Sequence, residues 1–129
     1  MTRTILKSAK LYSPKYHYSQ CVKTGPWYST SGIVGLDVAE NKLVMGGAYC
    51  EARQILRLLV AALPDWGLGL EHLTSVRIYT TRMDQFLEIN RAWEEVFATI
   101  EPPARASVGV AALPLGAAVE IDAVVEIRP

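Results

Sequence analysis

The chain has 129 residues, a length that predicts one domain covering residues 1–129. Half of its residues are hydrophobic, so we expect a homo-oligomer that buries part of this surface, with an apolar-rich monomer as the alternative. Thirteen Lys and Arg residues balance thirteen Asp and Glu residues, which argues against a nucleic-acid-binding protein because such proteins carry a basic patch.

The N-terminal segment and the cysteines indicate the compartment. Residues 1–7 hold too short an apolar stretch for a signal peptide, and no segment approaches the roughly 20 apolar residues that cross a bilayer. We therefore expect a cytoplasmic protein with no membrane partner. Cys21 and Cys50 are far apart and form no CxxC motif, so both are expected to be reduced, buried thiols.

The first third of the chain predicts strands and loops. A short strand followed by a loop is expected within residues 1–18. Residues 19–23 and 27–34 are typical of two strands, which the Gly and Pro at 24–26 join by a turn. Residues 37–47 are predicted to form a loop that ends at two glycines.

The middle of the chain predicts a helix and then a strand. From Glu51 onward the apolar residues recur at helical spacing, as at Ile55 and Leu59, and Pro64 ends the pattern. Residues 73–80 alternate between apolar and polar side chains, which indicates a strand.

A second amphipathic helix is predicted over residues 85–100, with Asp84 as its N-cap and Pro102 preventing its continuation. Asn90 lies on the buried stripe of this helix together with Trp93. A buried amide must find hydrogen bonds. Asn90 is therefore expected either to bond backbone carbonyls of a neighbouring strand or to orient a loop near a site.

Two strands are expected to close the chain, and a short turn would make them neighbours. Arg105 and Ser107 share one parity on the first strand, and Glu120 and Asp122 share the polar parity on the second. We therefore expect Arg105 and Glu120 to face the same side of adjacent strands. An Arg pairs well with a carboxylate and a Glu can move a proton, although a structural ion pair is the commoner role for either residue.

These elements run β-β-α-β-α-β-β, with a further N-terminal strand as an option. Two amphipathic helices can cover only one face of a sheet of about six strands, which predicts a two-layer α+β domain. The other face of the sheet would be open and would suit a subunit interface.

Several kinds of site are excluded by the absence of their motifs. His17 and His72 are the only histidines, and neither stands at metal-ligand spacing, so no metal site is expected. The motifs GxGxxG, GxxxxGK[ST] and GxSxG are absent, which argues against dinucleotide-binding, P-loop and hydrolase-elbow proteins. No cofactor is expected.

Several blocks along the chain resemble one known family, the reactive-intermediate deaminases (RidA or YjgF, also called endoribonuclease L-PSP). The blocks keep their order and cover most of the chain: Tyr18-Ser19-Gln20, Ser31-Gly32, Val76–Thr80, Met83–Phe86 with Asn90, Pro103-Ala104-Arg105, Leu113-Pro114 and Val119-Glu120-Ile121. The resemblance implies a chorismate-mutase-like α+β fold with a mixed sheet. It also implies a homotrimer whose sheets form a central barrel, with ligand sites in the clefts between subunits.

The same resemblance implies a function. Family members hydrolyse enamines and imines of the 2-aminoacrylate type to a keto acid and ammonia, without a metal or an organic cofactor. By similarity, Arg105 would bind the substrate carboxylate and Glu120 would position or activate water. Tyr18, Ser31 and Asn90 would line or brace the site.

Ser107 is a departure from the family pattern, because many members carry Cys at this position. Ser107 would change the shape and the redox sensitivity of the substrate-binding pocket without removing a required group. Two alternatives therefore stay open: a non-catalytic protein that binds keto or amino acids, and a specialised deaminase such as an aminomuconate deaminase. A ribonuclease is disfavoured by the balanced charge and by the lack of a histidine pair.

Overall fold

The computed structural model describes residues 2–128. Its regular elements, in chain order, are β1 Arg3–Leu6, β2 Cys21–Thr24, β3 Trp27–Thr30, β4 Ile33–Val34, β5 Leu36–Asp37, β6 Lys42–Leu43, α1 Gly47–Ala62, β7 Leu73–Thr80, α2 Phe86–Val96, β8 Ala104–Gly109 and β9 Val119–Glu126. No helix in this part of the chain is long and apolar enough to span a bilayer.

Within the described residues, one mixed sheet contains seven strands. Its order is β1-β2-β3-β9-β7-β8, and β4 also pairs with β9 beyond the end of β3. β7 and β8 are parallel, and the other pairs in this sheet are antiparallel. With α1 and α2 packed on it, this sheet confirms the predicted two-layer α+β class.

The core lies between the helices and one face of the sheet. Along β9 the side chains alternate without interruption, so that every second residue is buried; these residues are Val119, Ile121, Ala123 and Val125. The helix α1 supplies a matching apolar face that includes Ile55, Leu56 and Leu59. The intervening residues of β9 face the side that carries no helix, as expected for a strand with a period of two.

The helix limits differ from the sequence-based prediction. The helix α1 begins at Gly47, four residues before the predicted change of pattern, and α2 ends at Val96. Asp84 is not the N-cap of α2; it lies in a single 3₁₀ turn before the helix and forms an ion pair of 2.8 Å with Arg82. The predicted loop at residues 37–47 contains part of a small hairpin, because β5 pairs with β6.

The prediction that Arg105 and Glu120 face the same side of adjacent strands is wrong. The strand β7 lies between β8 and β9, so the two closing strands are not neighbours. Val76 is in register with Arg105 and is buried beneath the helices, whereas Tyr79 is in register with Glu120. Arg105 therefore lies on the helix side of the sheet, and Glu120 lies on the opposite side.

A buried carboxylate connects α1 to the start of β9. Glu51 is 7% exposed, and its Oε1 accepts a hydrogen bond of 2.9 Å from the backbone N–H of Ala118. Gly35 allows this approach, because a Cβ there would lie 3.0 Å from the Cα of Glu51. Burial raises the pKa of Glu51 above its ordinary value of 4.5 although backbone N–H groups oppose the rise. The charged form is thus disfavoured in the folded chain.

We expect Glu51→Gln to flatten the dependence of stability on pH. Because the folded pKa is raised, the wild-type free energy of unfolding should fall as pH increases from 4.5 through the folded pKa, and then stay constant. The glutamine keeps an acceptor oxygen and carries no charge. Urea unfolding at a series of pH values measures both proteins.

Glu51→Ala is the matched control, because it leaves the N–H of Ala118 without its partner. It should cost about 1–3 kcal/mol of stability at all these pH values. A Glu51→Gln protein whose stability followed the wild-type pH dependence would contradict the assignment of that dependence to Glu51.

Candidate functional site

A cavity of about 420 Å³ opens beside Glu120. Its walls come from the loop between β1 and β2, from the residues that separate β3 and β4, and from the turn that precedes β9. They consist of Tyr12, Ser13, Lys15, Tyr16, Tyr18, Ser31, Gly32, Val34, Leu36, Asn41, Pro114, Leu115 and Glu120. Most of the wall is therefore aromatic or apolar, with one carboxylate.

Glu120 is held against the backbone of the neighbouring chain segment. Its carboxyl lies so close to Gly32 that a Cβ there would be 2.7 Å from the Glu120 Cδ. Burial raises the pKa of Glu120 above its ordinary value of 4.5, and the negative charge of Asp122 raises it further. A carboxyl with a raised pKa is a stronger base when it is ionised, which suits it to accept a proton from water.

Asp122 is fixed by an arginine on the same face of the sheet. The Arg77 guanidinium donates two hydrogen bonds to the Asp122 carboxylate, of 2.8 and 3.2 Å. Asp122 lies two residues from Glu120 on the same face of β9, and its negative charge acts on Glu120. The ion pair with Arg77 thus fixes the position of the Asp122 carboxylate, whose charge is the second cause of the raised Glu120 pKa.

Two phenols and a hydroxyl surround the Glu120 cavity. The Tyr12 Oη accepts a hydrogen bond of 2.8 Å from the Val34 N–H, which leaves its own O–H free to donate. Burial raises the pKa of Tyr12 to about 12, and burial followed by the charge of Glu120 raises the pKa of Tyr18. Both phenols therefore stay protonated at neutral pH. Ser31 donates its hydroxyl to the Ser19 carbonyl at 2.5 Å.

A second group of polar side chains lies on the other face of the sheet. The Arg105 guanidinium stacks over α2, with its Cζ 5.4 Å from the ring centre of Phe86 and 5.0 Å from that of Trp93. Asn90 Oδ1 and Ser107 Oγ are both buried, and neither has a hydrogen-bond partner among residues 2–128. Buried polar atoms without partners are uncommon in native proteins, so these two are open to a ligand, water or another chain.

The structure therefore divides the six residues that the sequence singled out. Tyr18 and Ser31 lie with Glu120 around the cavity, and Asn90 and Ser107 lie with Arg105 between α2 and the edge strand. Sequence reasoning did not assign Tyr12 to the site. The only available signal was a cluster of three tyrosines in one loop, which does not distinguish a wall residue from a packed one.

Comparison with known proteins gives consistent matches along the chain. The profile of the family described as "Endoribonuclease L-PSP" matches residues 9–127. A "RutC family protein" of Aquifex aeolicus is 37% identical over 120 residues, which are 92% of this chain and 95% of that protein. A "2-iminobutanoate/2-iminopropanoate deaminase" of Dermatophagoides farinae is 36% identical over 111 residues, 86% of both chains. The crystal structure of RidA from an Antarctic Psychrobacter superposes with a TM-score of 0.85 at 31% identity, covering 96% of this chain and 99% of the other.

We expect the carboxyl carbon of Glu120 to titrate above pH 4.5 in an NMR titration. Asp122→Asn should lower this pKa, because it removes the negative charge that contributes to raising it. The pKa should remain above 4.5, because burial is the larger cause.

Asp84→Asn is the control for this titration, since Asp84 is exposed and lies on the turn before α2. It should leave the Glu120 titration unchanged. An Asp122→Asn protein in which Glu120 titrated as in the wild type would show that Asp122 does not influence the cavity.

Proposed function

The chain belongs to the endoribonuclease L-PSP family, which includes imine deaminases among its named members, and we propose that it hydrolyses carboxylated imines and enamines to a keto acid and ammonia. The observation that carries this proposal is the Glu120 carboxyl, held with a raised pKa at the wall of an open cavity. The equal numbers of acidic and basic residues offer no support for RNA as a substrate.

The proposed reaction needs a carboxylate anchor, and Arg105 supplies a suitable cation. No carboxylate of residues 2–128 forms an ion pair with it, and its guanidinium is exposed above two aromatic rings. An unpaired guanidinium can bind a carboxylate by two parallel hydrogen bonds, which fixes the orientation of a small substrate.

Glu120 then activates the water molecule that attacks the imine. The ionised carboxyl accepts a proton as the water oxygen bonds to the imine carbon, and the imine nitrogen takes up a proton to become an amine. In the second step the protonated Glu120 carboxyl gives its proton to the amine nitrogen. The new hydroxyl then loses its proton to the Glu120 carboxylate as the C–N bond breaks and ammonia leaves. An enamine first takes a proton at its terminal carbon and becomes the imine. The protonated phenols of Tyr12 and Tyr18 line the same cavity and can donate hydrogen bonds to the oxygen of the attacking water.

One copy of the chain cannot bring both groups to one small substrate, because Arg105 and Glu120 lie on opposite faces of the sheet. We therefore propose that a second copy completes the site, with Arg105, Asn90 and Ser107 from one chain and Glu120, Tyr18 and Ser31 from the other. The strand β8 is an edge strand whose residues are almost all exposed, and Val108 on it is 44% exposed. Such an apolar edge supports an interface between copies, in keeping with a homotrimer.

Arg105→Ala should lower kcat/KM by about 10- to 100-fold, because a hydrogen-bonded contact to a charged group contributes about 1.5–3 kcal/mol. The imine is generated in situ with an amino-acid oxidase, and its loss is followed by trapping with semicarbazide. Arg91→Ala is the matched control, since Arg91 also stacks over an aromatic ring, Tyr49, but lies on the outer surface of α2. Full activity of Arg105→Ala would contradict the proposed anchor.

Glu120→Gln should remove turnover and keep the binding of pyruvate, a product-like keto acid, which calorimetry measures. If the wild-type protein bound pyruvate but the imine disappeared no faster than in buffer alone, the chain would instead be a non-catalytic binding protein.

Mixing the Arg105→Ala and Glu120→Gln proteins should restore activity. If each site takes Arg105 from one copy and Glu120 from the next, about a quarter of the interfaces in randomly mixed rings of Arg105→Ala and Glu120→Gln chains contain both native residues. Unfolding and refolding the mixture together should therefore give about a quarter of the wild-type rate. Refolded alone, Arg105→Ala should keep at most about a tenth of that rate, and Glu120→Gln should be inactive. A mixture no more active than its components would show that the site does not form between copies.

A further inference from the structure

We infer that the imines hydrolysed here carry a large aromatic or apolar side chain, which occupies the cavity beside Glu120. This inference rests on the proposed function and specifies its substrate class. It follows from the size of the cavity, from the residues of its walls and from the way these residues are held.

The cavity is much larger than a three-carbon imino acid requires. Its volume is about 420 Å³. 2-Iminopropanoate has six non-hydrogen atoms, which need only about 180 Å³ even at roughly 30 Å³ each, the share of a water molecule in the liquid. Within one chain, more than half of the cavity would remain around such a substrate, which leaves room both for groups that a second copy brings and for a larger substrate side chain. A volume of this order is typical of pockets for ligands with an extended apolar body.

The walls also favour an aromatic or apolar group. Three tyrosines line the cavity, and Val34, Leu36, Pro114 and Leu115 complete its apolar surface. Tyr16 is 71% exposed, and within residues 2–128 no other aromatic ring packs against it. An exposed phenol ring at the rim of a cavity can stack on an aromatic substrate group, with ring centres about 4.5–7 Å apart. The polar residues of the wall are Ser13, Lys15, Ser31, Asn41 and Glu120. Lys15 is the cation among them, so a side chain with an acidic end is the rival ligand.

The cavity is held open by fixed contacts. The hydrogen bond from the Val34 N–H anchors the Tyr12 ring, so this ring cannot rotate into the empty space without losing the bond. Leu115, which also lines the cavity, has a φ of +61° within the 3₁₀ turn Pro114–Gly116. A preformed apolar cavity binds an apolar group without a cost for rearranging the protein.

The test compares imines that differ only in their side chain. Amino-acid oxidases convert alanine, phenylalanine and glutamate to the corresponding imino acids, and semicarbazide trapping gives kcat/KM for each. The wild type is expected to favour the phenylalanine-derived imine over the alanine-derived imine by at least about tenfold, the lower end of what filling an apolar pocket gives. Equal rates, or a preference for the alanine-derived imine, would overturn the inference. A preference for the glutamate-derived imine would overturn it in favour of an acidic side chain.

The tyrosines should set the preference. Tyr16→Ala is expected to lower the ratio of the two kcat/KM values by about 2- to 12-fold, the loss of one aromatic pair. Tyr12→Leu should lower the ratio as well, and Tyr12→Phe, which keeps the ring, should change it less. Met45→Ala is the control, because Met45 is 91% exposed and does not line the cavity. If both Tyr16→Ala and Tyr12→Leu left the ratio of the two kcat/KM values at its wild-type value, the inference would be overturned.

A separate binding measurement distinguishes this inference from the proposed function. If neither imine is hydrolysed, the proposed function fails, and calorimetry with phenylpyruvate and pyruvate still tests the cavity. Tighter binding of phenylpyruvate that Tyr16→Ala weakens would support the ligand class. Equal affinity for the two keto acids would overturn it.

Discussion

The strand β9 fixes which side of the molecule every functional group faces. It is hydrogen-bonded on both edges, to β3 and β4 on one side and to β7 on the other. Because four alternate side chains of β9 are locked beneath the helices, a slip by one residue would bury Glu120 and Asp122 in the core. The free-energy cost of two buried, unpaired carboxylates makes that register unavailable. The position of Glu120 at the cavity is thus a consequence of core packing.

The same constraint explains how much of the fold could be predicted from the sequence. The strand β7 was predicted with its observed limits, because its alternation reports a real difference between a buried and an exposed face. The strand β8 alternates in the sequence, yet five of its six residues are exposed. Its pattern therefore carried no information about which side faces the core. The sequence also could not show that β8 pairs in parallel with β7, since that pairing depends on contacts across the sheet.

The sequence could predict which residues belong to the site, but not how these residues are arranged in space. Tyr18, Ser31 and Glu120 do line one cavity, although they come from three distant segments of the chain. The role of Tyr12 depends on a backbone N–H of β4 reaching its hydroxyl, and nothing in the spacing of tyrosines encodes that contact. Likewise, the raised pKa of Glu120 comes mainly from burial, which is a property of the folded loop around Gly32.

Ser107 gives the strongest physical argument that the Arg105 side of the sheet has a function of its own. A hydroxyl is costly to bury without a hydrogen bond, because water solvates it strongly. The Ser107 Oγ is nevertheless buried without a partner in residues 2–128. Asn90 Oδ1, on the helix stripe above it, has the same deficit. Two such deficits beside an unpaired guanidinium destabilise an isolated chain. They are offset if a carboxylate and its water bind there, as the proposed shared site requires.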